Sequence, residues 1–350
     1  MKISKIYTYP IKGIRATELD SVVVTKQGFP YDRRYMLLQV LDDGSYKNMA
    51  VAHYPAMTLY FPTLNIPEDG DVLKGSFTVT YKPPGGGEEE GEERRIDIPL
   101  KPKTDDLDEV EVTMHRSPTK AYKMPQEYTD WFSSTFGFPC ILVYLGSDMR
   151  KVLMSTNGNK QPASAAAAPS TWLSSLSSKA TQLVMGADPS EQDSRITFAD
   201  CAPYLIVSAK SMDDVHARLP AGEDYDITKF RPNLIVTGAE RTWEEDFWGE
   251  LTIDGKTKIE CEHNCARCKS LNIDYATGKP GLGEAGSMLK KLASNRRVDP
   301  GMKWSPVFGR YSFLHPGSEG NEIKVGDEVF VSKRNDERTK FDWEGLHTLK

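Results

Sequence analysis

Three of the five cysteines in this 350-residue chain lie in one octapeptide, Cys261-Glu262-His263-Asn264-Cys265-Ala266-Arg267-Cys268, beside a histidine and an arginine. Thiolates are the softest protein ligands for a metal, and clustering them points to a metal or to thiol chemistry. Three chemistries fit the octapeptide. Cys261, His263, Cys265 and Cys268 could supply the four N/S ligands of a structural zinc site, although such sites usually join two ligand pairs across a loop and one pair is present here. Cys265 and Cys268 could form a redox Cys-x-x-Cys pair, which wants its first cysteine at a helix N-terminus. Here Leu271-Asn272-Ile273-Asp274 follows, and its composition is strand-like. Third, a single thiolate could ligate a cofactor metal while Arg267 neutralises an anionic group beside it. The local pattern leaves all three open.

Basic residues elsewhere bear on the choice. Lys12, Arg33, Arg231 and Arg267 each sit at a strand end or in a loop next to Pro, Gly or Asp. Loops on a rigid β-scaffold are where binding residues concentrate. Taken singly, each reads as a surface charge. Converging, they would make a pocket for a phosphorylated anionic cofactor. His53, His115, His216, His315 and His347 are isolated and suggest no Ser/His/Asp arrangement. Gly281-Leu282-Gly283-Glu284-Ala285-Gly286 mimics GxGxxG spacing but follows a charged turn, and no Walker A loop follows a strand.

Composition narrows the class. The formal charge is 44 − 50 = −6, with basic residues scattered rather than striped, which argues against nucleic acid as the main partner. An odd number of cysteines, three of them clustered, fits a reducing compartment, so a cytoplasmic location is expected. The opening residues carry no apolar signal region, and no apolar run nears the roughly 18–20 residues that span a bilayer. A soluble chain without a membrane anchor is expected.

The elements that must position these residues are mostly strands. Residues 2–9, 19–24, 35–40, 57–64, 75–81, 95–100 and 110–114 are short apolar runs split by Pro, Gly and Asp turns, the spacing of a β-barrel or sandwich. Pro83 to Glu93 reads as a solvated hairpin tip. Residues 126–136 have helical spacing, with Trp131, Phe132 and Phe136 on one side and Gly137 as the stop. Cys140 opens a buried strand and reads as a core thiol. Residues 155–194 turn rich in Ser, Ala, Pro and Gly, a seam with the character of a flexible linker. Beyond it come strands at 204–207, 234–236, 308–314 and 328–332, and an apolar-alternating run at 251–259. Helices are expected at 208–219, capped by Ser211 with Met212, Val215 and Leu219 inward, and at 288–293.

Several motifs together resemble a known family. Tyr9-Pro10-Ile11-Lys12 and Asp32-Arg33-Arg34-Tyr35-Met36-Leu37 resemble the start of the MOSC N-terminal β-barrel domain. Phe198-Ala199-Asp200-Cys201-Ala202-Pro203, Phe230-Arg231-Pro232-Asn233, Cys265-Ala266-Arg267-Cys268 and Asp274-Tyr275-Ala276-Thr277-Gly278 resemble the MOSC domain itself. So do Ser305-Pro306-Val307-Phe308-Gly309-Arg310-Tyr311 and Ile323-Lys324-Val325-Gly326-Asp327. This is the domain of molybdenum cofactor sulfurase C-termini and of the mitochondrial amidoxime-reducing component. The resulting expectation is an α+β, β-rich chain. A MOSC N-terminal β-barrel domain would occupy 1–150, a Ser/Ala-rich linker or insertion 151–194, a MOSC β-barrel domain 195–333 and a charged tail 334–350.

The resemblance implies a molybdenum cofactor (Mo-molybdopterin) enzyme that reduces N-hydroxylated substrates such as amidoximes and hydroxylamines. It makes Cys268 the metal ligand and catalytic residue. It assigns Lys12, Arg33 and Arg231 to the pterin and its phosphate, and Arg267 to the cofactor site. Gly13, Cys201, Ala202, Ala266 and Tyr311 follow as further cofactor contacts. Against the amidoxime-reducing pattern, Gly13 replaces a serine, Cys201-Ala202 a Thr-Ser pair and Ala266 a serine, so the side-chain hydroxyls of those positions are missing. Electrons are expected from a separate donor, a cytochrome b5-type protein with its NADH-dependent reductase or an equivalent. An anchor encoded upstream would associate the protein with mitochondria. The family also carries an association with pyridoxal phosphate. The alternative the resemblance implies is a cofactor carrier or sulfur-handling protein without turnover, and a zinc-stapled interaction module stands as a third possibility.

Overall fold

Ile3 and Ile6 are both buried although they lie three residues apart, which strict alternation in a strand forbids. The strand Lys2–Thr8 resolves this with a register shift between Ile3 and Lys5, a bulge that returns Ile6 to the inner face. In the computed structural model this strand pairs antiparallel with Leu234–Thr237, more than two hundred residues away. Described are residues 1–67, 73–84, 93–156, 194–343 and 345–346. The hairpin tip at 85–92 and the seam at 157–193 lie outside them.

The chain builds one eight-stranded sheet and a near-closed N-terminal barrel. The large sheet runs Thr17–Leu19, Lys2–Thr8, Leu234–Thr237, Tyr204–Ser208, Val307–Leu314, Thr257–Ala266, Trp248–Ile253, Val329–Arg334. Tyr204–Ser208 and Val307–Leu314 are buried at every position, as central strands covered on both faces must be. The barrel joins a five-stranded sheet (Tyr46–Asn48, Tyr35–Val40, Cys140–Tyr144, Ser117–Lys123, Glu109–Met114) to the hairpins of Tyr60–Asn65, Ser76–Tyr81 and Arg94–Pro99. Helix Gln126–Phe136 plugs it. Gly137, at φ 79°, ends the helix and returns its N–H to Ser133. Tyr60 stacks on Phe136 at 4.6 Å and meets Phe132 at 5.9 Å.

The expected boundary near residue 150 is therefore not a boundary between sheets. The first strand completes the large sheet, and Ser21–Val23 pairs with Glu322–Lys324. The opening residues thus tie both halves together, with the loop at Lys12 between them.

Four local expectations need correction. Residues 57–64 are not one strand, because Pro55 starts a 3-10 turn, Pro55–Leu59, before Tyr60–Asn65 begins. Helix 208–219 shrinks to a 3-10 turn, Ala209–Ser211, and a single α-turn, Met212–His216, although Met212, Val215 and Leu219 are buried as expected. Ser211 does not cap it; its hydroxyl donates to Glu245 at 2.7 Å. Nor is 334–350 a charged tail along its length. Phe341 and Trp343 are 2% and 0% exposed, so burial of two aromatic rings returns this segment to the core despite its charges.

Candidate functional site

Strand Thr257–Ala266 carries Cys261, His263 and Cys265, and register shifts at Cys261/His263 and Asn264/Ala266 turn them apart. Cys261 packs into one core beside Trp248, Leu251 and Ile259, while Cys265 packs into another with Leu271 and Phe308. Burial pushes the Cys261 thiol up to about 11. His263 places Nε2 2.7 Å from the Ser155 carbonyl. Among the described residues no three His, Cys, Asp or Glu side chains converge to hold a metal, so the four-ligand zinc arrangement is not formed.

The other two thiols also differ. Cys265 is buried and accepts from Arg267 Nη1 at 2.7 Å, and burial raises its pKa. Cys268 is the exposed one of the five free cysteines, with Sγ 3.2 Å from Ser270 Oγ. It opens a 3-10 turn, Lys269–Asn272, where a strand-like segment was expected; only Ile273–Asp274 is strand.

Cys268 faces a cleft of about 310 Å³ lined also by Lys12, Gly13, Cys201, Arg231, Ala266, Arg267 and Tyr311. Residues scattered over three hundred positions thus meet at one place. Arg33 and Ala202 do not line it. Arg33 instead sits behind the cleft at φ 52°, donating to Asp32 Oδ2 (2.5 Å), Asn233 Oδ1 (3.2 Å) and the Arg231 carbonyl (3.1 Å). It and Arg231 share the Tyr9 ring, at 4.5 and 4.3 Å from its centroid. Arg231 is itself left-handed, at φ 57°, and Arg33 grips its carbonyl in that strained conformation. Arg33 is a positioning residue for the loop that presents Arg231.

Of the two arginines that line the cleft, Arg231 keeps Nη2 and Arg267 keeps Nε buried with no hydrogen bond among the described residues. Arg231 Nη1 donates to the Ile14 carbonyl at 2.8 Å, and Arg267 donates from Nη2 to the Phe230 carbonyl at 2.6 Å. A buried donor left unmade costs about 1–3 kcal/mol. Gly13, at φ 93°, lies against the Met57 methyl, which a Cβ there would displace.

His115 and Asp200 line the cleft as well, though neither was expected among the site residues. Lys12 Nζ bonds the Asp200 carboxylate and the Phe198 carbonyl, and His115 Nε2 lies 3.4 Å from the same carboxylate. Desolvation would raise Asp200, but Lys12 and His115 hold it well below the usual carboxylate range, so it is ionised. His115 and Arg116 form a two-residue hairpin turn at φ 50° and 63°, a conformation that favours Asn-Gly. His115 looked isolated because its partner is 85 positions away. Trp343 Nε1 donates to the His115 carbonyl at 2.8 Å, and Phe341 and Leu346 join the cleft wall. Asp200 was visible within its motif, between Phe198 and Pro203; nothing local marked His115.

Together these features define a β-rich protein whose two halves enclose a cleft lined by one exposed thiol and by Lys12, Arg231 and Arg267. Residues 1–139 match the MOSC N-terminal beta barrel domain and residues 193–330 the MOSC domain, so the chain belongs to the proteins that join the two. It is 35% identical over 150 residues to the human mitochondrial amidoxime-reducing component 1, covering 41% of each chain. It is 35% identical over 145 residues to the bovine mitochondrial amidoxime reducing component 2, covering 40% of each. Human molybdenum cofactor sulfurase is 22% identical over 347 residues, 95% of this chain and 32% of that protein. The matched region thus spans about two-fifths of the amidoxime-reducing relatives. Among the described residues no helix is long and apolar enough to cross a membrane.

Proposed function

We propose that this protein holds the molybdenum cofactor in the Cys268 cleft and reduces N-hydroxylated compounds such as amidoximes and hydroxylamines. One observation carries this reading: the exposed thiol of Cys268 lines one cleft with three cationic residues far apart in sequence, Lys12, Arg231 and Arg267. The donor set fits the group. A thiolate suits a soft-ligand metal site, and guanidinium and ammonium groups suit a pterin phosphate. Gly13, Cys201 and Ala266 bring no hydroxyl to the cleft, so the arginines and Lys12 carry more of the anion binding.

When bound, the cofactor supplies two-electron oxygen-atom chemistry. Cys268 Sγ would hold its metal, and Lys12, Arg231 and Arg267 its anionic end. Cys265 Sγ and the Phe230 carbonyl fix the Arg267 fork, and Arg33 fixes the loop of Arg231. Converting an N–OH group to N–H and water takes two electrons and two protons. The electrons come from a separate donor protein, a cytochrome b5-type protein with its NADH-dependent reductase or an equivalent. His115, held against the ionised Asp200, is the cleft group that holds and delivers protons, through its imidazole N–H. Phe341 and Leu346 keep water from one wall.

A second reading, cofactor binding without turnover, is favoured by the match to the sulfurase along nearly the whole chain. Metal and pterin analysis, followed by benzamidoxime reduction with a chemical electron donor, separates the two. Stoichiometric molybdenum and pterin with turnover supports the reductase; the same content without turnover favours the carrier. Stoichiometric zinc with neither molybdenum nor pterin overturns both.

A further inference from the structure

Past Cys268 the cleft opens into a larger one of about 900 Å³, and the two share Ala52, Arg267, Cys268 and Ser305. The outer cleft is lined by Arg267, Lys269, Lys290 and Arg297 and by no aspartate or glutamate. This reverses the balance of the whole chain, whose formal charge is −6. Their sequence neighbours are neutralised: Lys291 pairs with Glu284, and Arg296 forks onto Asp246 at 2.8 and 2.9 Å. Lys269, Lys290 and Arg297 have no ion-pair partner among the described residues. Trp304, 68% exposed, stands on the same wall. An exposed indole in a protein that buries Trp248 and Trp343 completely is an apolar surface without its contact.

Like charges gathered in a concave, partly apolar wall focus the potential and raise the local concentration of anions. The volume is that of small-molecule sites, and the concavity suits a small molecule better than the flat face of a protein. We propose that the outer cleft is a substrate subsite for an anionic group, carboxylate or phosphate, carried on a flat aromatic body. The ring lies on Trp304, the anion meets Lys290 and Arg297, and the N-hydroxylated end points to the cofactor site at the Cys268 end of the cleft. This rests on the reductase reading and adds a substrate class to it.

The test compares 4-carboxybenzamidoxime with benzamidoxime, two compounds that differ by one carboxylate. Binding is followed by tryptophan fluorescence in the intact chain, with Trp304→Phe to assign the signal, and turnover is measured separately. The carboxylate compound is expected to bind about tenfold more tightly at low salt, with the advantage lost in 0.5 M salt, as screening of exposed charges requires. Lys290→Gln/Arg297→Gln is expected to remove the advantage while keeping the parent melting temperature. Equal binding of the two compounds overturns the proposal. So does a preference that survives in the double variant. If that variant slows electron delivery from an acidic donor protein yet keeps the carboxylate preference, the face is a docking surface and the proposal is again overturned. Preferential binding with no turnover of either compound supports the subsite and counts against the reductase reading alone.

Discussion

Arg267 donates from Nη1 to Cys265 Sγ at 2.7 Å, and that bond separates two thiols three residues apart into different roles. Cys265 is buried and spent on orienting a guanidinium. Cys268, just beyond the end of the strand, is exposed at the cleft. What looks like a Cys-x-x-Cys pair is one structural sulfur and one available sulfur.

Alkylation of the cofactor-free protein under native conditions should therefore modify one cysteine per chain, at Cys268, and all five after denaturation. Buried thiols react slowly because the thiolate is the nucleophile, and burial raises Cys140 and Cys261 to about 11. Intact-mass and peptide analysis after iodoacetamide treatment reads the count. Rapid native labelling of Cys265 would contradict the assignment.

Removing Arg33 should damage stability as well as cofactor retention. Asp32 is 1% exposed, and its carboxylate would lose its cationic partner while keeping the Tyr9 N–H at 2.9 Å. Breaking a buried pair by removing one member costs about 3–5 kcal/mol. Arg33→Ala should lower the urea midpoint accordingly, and Arg33→Lys, which keeps the charge but not the fork, should fall between. An unchanged midpoint in Arg33→Ala would show that the guanidinium does not hold this loop.

Glu245 gives a pH dependence far from the cleft. It is fully buried, with Oε1 unpartnered among the described residues, and desolvation pushes its pKa from the usual 4.5 to about 7. Between those values the folded protein binds more protons than the unfolded chain, so its stability falls as pH rises through that window. The loss is about 3 kcal/mol by about pH 7. Glu245→Gln can still accept the Ser211 hydroxyl and should flatten that slope. Unfolding midpoints at pH 5 and 7.5 decide it; equal slopes in both proteins would contradict the assignment.

Trp343 should be worth more than any other residue of the C-terminal segment. Trp343→Ala empties a fully buried site and should cost about 3–5 kcal/mol. Trp343→Phe keeps most of the apolar surface but releases the His115 carbonyl, so amide exchange in the His115–Arg116 turn should quicken more than global stability falls. Unaltered exchange there would remove the link between this segment and the cleft.

Much of this was readable from residue order because the signals are local. The apolar run at 35–40, bounded by turns, and the helical spacing at 126–136 match Tyr35–Val40 and Gln126–Phe136 residue for residue. The basic residues at strand ends were informative because rigid strands deliver their ends to a common edge, and Lys12, Arg231 and Arg267 do meet. Arg33 was readable as important but not as a support, because its partners Arg231 and Asn233 lie about 200 positions away. Phe341 and Trp343 are two apolar residues among charges, too few to show a period, and only the existing core gives them somewhere to pack. The His115–Asp200 contact depends on a strained turn that carries no glycine to mark it.

The most direct test of the central claim is benzamidoxime reduction by cofactor-loaded wild type and Cys268→Ser, measured side by side with a chemical electron donor and with molybdenum content determined on the same samples. Cys268 is exposed and its replacement should leave the fold unchanged, so activity should fall by at least a hundredfold in Cys268→Ser while the melting temperature holds. Full activity in Cys268→Ser at equal molybdenum content would contradict the account.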